Sequence, residues 1–224
     1  HLNASQFTPT LEKILLLPSV DTDEVFKAQH GCIDCLALMI CADMQFLDFT
    51  SPEKSVVDYV IDRLLHAKSQ NQEVPRAFRI CMANSLISAC QKIPDIGKTP
   101  FARKILPRLS RSVAKIAHAD VRAACIQVMF SAVYHLKLAV VPHAQNLLQV
   151  SVKALSSESA KERVAGAKLL AALMASEEAV LQRISMGLLE AKPALVSALS
   201  SDSSLELKEI CKQLLSILAA PSNS

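Results

Sequence analysis

One stretch constrains this chain more than any other, Asp120 to Leu136. Its apolar residues fall at Val121, Ala124, Cys125, Val128, Met129, Ala132, Val133 and Leu136. The steps alternate between three and one. That draws one face of an α-helix and excludes a strand, whose side chains change face at every residue. Asp120 stands just before the run and is expected to cap it.

The same opening recurs along the chain. It reads Glu24-Val25-Phe26-Lys27-Ala28, Glu73-Val74-Pro75-Arg76-Ala77, Asp120-Val121-Arg122-Ala123, Arg163-Val164-Ala165-Gly166-Ala167 and Glu206-Leu207-Lys208. The apolar anchors Val25, Val74, Val121, Val164 and Leu207 are separated by 49, 47, 43 and 43 residues. A period in the forties holding two helical segments is that of stacked helical repeats, roughly 40–47 residues each.

An apolar residue followed by a basic one at the start of the second helix, as in Val121-Arg122 and Leu207-Lys208, resembles a HEAT repeat. A first helix interrupted by Pro107 is similar to the three-helix armadillo unit. The resemblance covers nearly all of the 224 residues. It implies an all-α chain folded as an α-α superhelix, a HEAT/armadillo-like solenoid of about five repeats. The repeats span approximately 8–45, 51–93, 98–138, 141–176 and 177–220 of one domain covering 1–224. A chain opening on His1 is read as a portion of a longer polypeptide.

Along the chain, Thr10 to Leu17 forms a short helix closed by Pro18, and a long helix follows from Asp23 to Ala42. Ser51-Pro52-Glu53 reads as a helix start, since Ser caps, Pro fits the first helical position and Glu suits the positive helix end. A second helix runs from Pro75 to Lys92. Pro107 predicts a kink or split. Repeat four starts at Pro142 and turns at Ser156 to Ser159. Pro193 predicts a break between a Glu177–Glu190 helix and an Ala194–Leu199 helix. The final helix is Leu205 to Ala219.

Hydrophobic residues make up 51% of the chain and aromatics only 4%, with no Trp. Such a core is built from Leu, Ala, Val and Ile, which suits close helix stacking. A net charge of +3 compels neither nucleic acid nor a membrane. No apolar run reads as long enough to cross a bilayer, and no signal peptide is evident. Asn3-Ala4-Ser5 is read as a chance sequon. An odd count of seven cysteines fits reduced thiols in the cytoplasm or nucleus.

No catalytic pattern stands out, and four glycines leave little material for a phosphate cradle. His30-Gly-Cys32-Ile-Asp-Cys35 lacks a second ligand pair for a tetrahedral metal. Both cysteines are expected in the core, where Cys behaves as a small hydrophobe. Neither an enzyme, a metal, a cofactor nor a small-molecule substrate is expected.

The expected function is a non-enzymatic protein-interaction scaffold that binds a peptide or helix of a partner. A groove lined by second helices would present Arg76, Arg79, Asn84, Arg122 and Lys168. Asn84 sits where armadillo peptide binders place an asparagine, but the equivalent positions Cys35, Phe130, Met174 and Ile217 carry none. A local hydrogen bond is its first expected role. Lys104, Arg108, Arg111 and Lys115, spaced 4, 3 and 4, would share one basic helix face. That face would attract an acidic segment, or alternatively a nucleic-acid backbone. Tubulin binding of the TOG kind ranks lower, because the turns are polar or acidic.

Overall fold

The computed structural model describes residues 4–17, 23–46, 55–69, 72–202 and 204–219. Ten α-helices occur among them. They are α1 (Ala4–Leu15), α2 (Asp23–Phe46), α3 (Val56–Leu65), α4 (Arg76–Lys92), α5 (Asp95–Ser112), α6 (Ala119–Leu136), α7 (Ala144–Leu155), α8 (Ala160–Met174), α9 (Glu178–Ser201) and α10 (Leu205–Ala219). Short 3-10 turns cover Val113–Lys115 and Lys137–His143. A minimal antiparallel pair, β1 (Lys68–Ser69) and β2 (Gln72–Glu73), matches Lys68 to Glu73 and Ser69 to Gln72. The fold is all-α with packed helices, compatible with a helical repeat family. The sequon at Asn3 and the Ser51-Pro52-Glu53 start lie outside the described residues.

The contacts group into two compact units, residues 1–108 and 109–224. In the first, α2 packs on α1, α3 and α4, and α3 packs on α4. The apolar face of α3 is fully buried at Val56, Val57, Val60, Ile61 and Leu64. Each such side chain contributes about 1.5–3 kcal/mol when fully removed from water. The start of α3 is tied down twice. The Ser55 N–H donates to Asp58 Oδ2 at 3.2 Å. The Val56 N–H donates to Asp43 Oδ2 of α2 at 2.8 Å.

In the second unit α8 packs on both α6 and α10, and α7 packs on α9. Each second helix also packs on the first helix of its own pair, α8 on α7 and α10 on α9. The closest approach is at Gly166 of α8, where an added Cβ would lie 2.6 Å from Ala154 Cβ and 3.0 Å from the Ser151 carbonyl oxygen. The absent side chain is what lets the two backbones meet.

Five expectations need correction. Pro107 splits nothing: α5 runs unbroken through Pro100 and Pro107. Pro193 likewise lies inside a continuous α9. Ile105, Leu106 and Leu109 around Pro107 are wholly buried, and this packing outweighs the hydrogen bond a proline cannot donate. Asp120 is not the cap. His118 is, and Asp120 sits in the first turn accepting the Val121 N–H at 2.9 Å. Cys32 is buried, but Cys35 on the same helix is exposed. Finally, Asp23–Met44 and Ala119–Leu155 do meet the length and apolarity of a membrane crossing. The second stretch is interrupted by the 3-10 segment at 137–143, and just over half of its most apolar window is buried within the fold.

Candidate functional site

The second unit holds a cavity of about 640 Å³, within the range of roughly 300–1,000 Å³ typical of ligand pockets. Four pieces of chain build it. The end of α5 and the following 3-10 turn supply Arg111, Val113 and Ala114, and α6 supplies Arg122 and Ile126. The α7 helix supplies Asn146, Gln149, Val150 and Lys153, which lie one turn apart along a single face. Glu162 of α8 completes the wall. Val113, Ile126, Val150 and Ala154 give it apolar surface, while Arg111, Lys153, Asn146 and Gln149 are exposed at its edge.

The Arg122–Glu162 pair in the wall is structural. The Arg122 Nε–H donates to Oε1 and Oε2 of Glu162 at 3.0 and 3.1 Å, and Nη2 donates to Oε2 at 3.0 Å. The other arm, Nη1, donates to the carbonyls of Ile116 and Ala117 at 2.8 and 2.9 Å. Ser157 donates its hydroxyl to the same carboxylate at 2.7 Å. The Glu162 hydrogen bond, offset in part by burial, raises the Arg122 pKa. The only carboxylate lining the cavity is therefore neutralised from within, whereas among the described residues the exposed Lys153 ammonium has no ion-pair partner. Arg111, Arg122 and Lys153 thus share the lining with one carboxylate, Glu162.

The expected basic face divides. Lys104 donates to Asp58 Oδ2 at 2.6 Å and to the Ser55 hydroxyl at 2.9 Å. Arg108 pairs with Asp58 at 3.3 Å and also with Asp62. Both cations are half-buried on an acidic row of α3. Burial pushes the Asp58 carboxyl up, but hydrogen bonds from Lys104 and Ser55 and the Lys104 charge outweigh it and hold the carboxyl below its ordinary value. Arg111 instead lies at the edge of the cavity, and Lys115 is exposed in the 3-10 turn.

The other groove candidates scatter. Arg79 is only 2% exposed, and its guanidinium donates to the carbonyls of Leu64 at 2.8 Å and Leu65 at 3.1 Å, the end of α3. Its side chain is not presented to a groove. Arg76 and Asn84 are exposed on α4. Among the described residues nothing hydrogen-bonds to Asn84, so its expected local bond is not formed. Lys168 makes a partly exposed ion pair with Glu206 at 2.6 Å.

Of the residues expected to meet a partner, Arg111 and Arg122 line this cavity, and Asn146, Gln149 and Lys153, which line it too, were not among those expected. Their 3- and 4-residue spacing along one helix face was the available signal. Among the described residues no cluster of three His, Cys, Asp or Glu side chains is placed to hold a metal. Burial, and secondarily the Cys35 charge, pushes the Cys32 thiol up, away from the reactive thiolate. No family model, curated protein or solved structure matches this chain.

Proposed function

We propose that this chain is a non-enzymatic interaction scaffold, a HEAT/armadillo-like solenoid that holds a segment of a partner protein. The observation that carries the reading is the 640 Å³ cavity, with apolar patches inside and cations and amides at its edge. Apolar anchoring gives affinity and the polar edge fixes register, which is how peptide segments dock. Nucleic-acid binding through α5 is disfavoured, because Lys104 and Arg108 already answer Asp58 and Asp62.

The test is photo-crosslinking from a group placed at Gln149, in nuclease-treated cytosolic and nuclear extracts. A protein crosslinked through Gln149 and lost when unlabelled chain is added in excess supports the scaffold. Recovery of nuclease-sensitive material alone sinks it.

A further inference from the structure

We infer that α10 carries a docking surface, the strip Leu205, Lys208, Lys212 and Leu215. Its occupant is a helix of a partner protein with a carboxylate at its N-terminal end and an apolar face. The second unit shows how such a strip is filled. Arg122, Arg163 and Lys208 occupy one position in α6, α8 and α10. Each is the fourth residue of its helix. Each donates its N–H to the carbonyl four residues back, on His118, Ser159 and Ser204. Arg122 reaches Glu162 in the first turn of α8, and Arg163 reaches Asp202 just ahead of α10. Beyond the arginines the same faces continue with Ile126 and Met129 in α6 and with Ala167 and Leu170 in α8, all buried. Steps of four and three keep these side chains in line.

On α10 the corresponding strip stays in water. The helix packs on α8 and α9, yet Leu205 is 84% exposed, Lys212 is exposed, and Lys208 and Leu215 are half-buried. Among the described residues neither ammonium has an ion-pair or hydrogen-bond partner. The carboxylates of α10 itself are engaged elsewhere. Glu206 pairs with Lys168 of α8 at 2.6 Å, and Glu209 accepts from Gln213 at 3.2 Å. Charge then selects the occupant. Lys208 and Lys212 put two cations where α6 and α8 each carry one, so a carboxylate at the start of the incoming helix answers them. Leu205 and Leu215 meet its apolar side chains. A second copy presenting the same strip about a twofold axis would set Lys212 against Lys212, which like charge opposes. No residue of the strip lines the cavity, so the surface stands apart from that site.

The experiment selects a displayed library of helical peptides on the intact chain and repeats the selection on its Lys208→Glu variant. Lys212→Glu is run beside it, and circular dichroism of each variant verifies the fold. Lys212 is exposed, so its reversal reads the surface even where Lys208→Glu disturbs the helix start. The expected winners carry Asp or Glu in or just ahead of their first turn, followed by apolar residues at steps of three and four. On Lys208→Glu the same place should turn to Lys or Arg. A synthetic winner should bind either variant about tenfold or more weakly, as loss of a charge-assisted contact would. It should recover on Lys208→Glu when its own acid is changed to Lys. No enriched helix, acids scattered along the winners, or binding indifferent to both variants overturns the inference. Sedimentation of the chain alone closes the remaining route. An oligomer that Lys208→Glu turns into a monomer would give the strip to a second copy and overturn the partner helix. The cavity keeps its own readout, crosslinking at Gln149, so failure here leaves that reading standing.

Discussion

Arg122 and Glu162 are 40 residues apart and meet through a double-oxygen clamp, and Arg163 pairs with Asp202, 39 residues on, through Nε and Oδ2. The repetition extends to the backbone. Arg122 donates to the carbonyls six and five residues before it, Ile116 and Ala117. Arg163 does the same with Ser157 and Glu158. Each arginine therefore caps carbonyls that end the preceding helical segment. Each also reaches a carboxylate at the turn before, or the first turn of, the second helix of the next pair, Glu162 in α8 and Asp202 between α9 and α10. Glu162 and Asp202 are 7% and 5% exposed, so these carboxylates depend on their arginines for solvation. The clamp is a backbone-satisfying device as much as an ion pair.

Removing one partner should therefore cost more than removing both. Arg122→Met leaves Glu162 buried with only Ser157 donating, and is expected to destabilise by about 3 kcal/mol. Arg122→Met with Glu162→Leu should recover much of that loss, because no charge is left stranded. Denaturant midpoints for the four corners of the cycle decide it. A double variant as unstable as the sum of the singles would show the carboxylate is not what the arginine serves.

Asp58 links the fold to acid. Its carboxyl lies below the ordinary value of 3.8 in the folded chain, so the folded state binds that proton less readily than the unfolded one. The associated stability is fully present above the unfolded value and is lost as pH falls through the lowered folded value. Asp58→Asn is expected to cost about 1–2 kcal/mol near neutrality and progressively less below pH 4. Unfolding free energy measured against pH for both proteins should converge in acid. Parallel curves would mean the Lys104 and Arg108 contacts contribute nothing through charge.

Much of the architecture was legible because a 3.6-residue period survives any local accident. The starts of α2, α4 and α10 and the α6 face could be read from Val25, Val74, Leu207 and the Asp120–Leu136 stripe. Breaks at Pro107 and Pro193 were misread because a proline's local penalty is visible in sequence, whereas the tertiary burial that offsets it is not. The basic run of α5 showed its spacing but not its answer. Asp58 and Asp62 lie 46 to 50 residues away on another helix. Lys153 escaped notice for the converse reason: alone it is an ordinary surface lysine, and only the fold brings it to the lining of the cavity.

Two glycines separate backbone contact from side-chain contact. A Cβ at Gly166 would meet Ala154 Cβ at 2.6 Å and the Ser151 carbonyl at 3.0 Å, and neither can swing aside. Gly166→Ala should thus force α7 and α8 apart and lower stability by about 1–3 kcal/mol, despite the better helix propensity of Ala. A Cβ at Gly187 meets Leu148 Cδ2 at 2.6 Å, the movable tip of a side chain. Gly187→Ala should be neutral or gain up to about 1 kcal/mol. Thermal midpoints that rank the two variants the other way would refute the assignment of the close approach to α7 and α8.

Lys137 ends α6 at φ 53 and ψ −124, and among the described residues no other non-glycine has a positive φ. That backbone region crowds a Cβ, and holding one there costs about 1–3 kcal/mol. The side chain returns part of this: Nζ lies 5.3 Å from the centre of the Tyr134 ring, an exposed cation–π contact of about 0.5–1 kcal/mol. Glycine would release the strain and lose the contact, while adding freedom to the unfolded chain. Lys137→Gly is therefore expected to match or exceed the natural chain in stability. Lys137→Ala keeps the crowded Cβ, loses the ring contact, and should be the least stable of the three. Chemical denaturation of all three proteins reads the order directly. Alanine ranking above glycine would show that the backbone at this turn relaxes to an ordinary conformation, and that the 3-10 segment after α6 is not held open by strain.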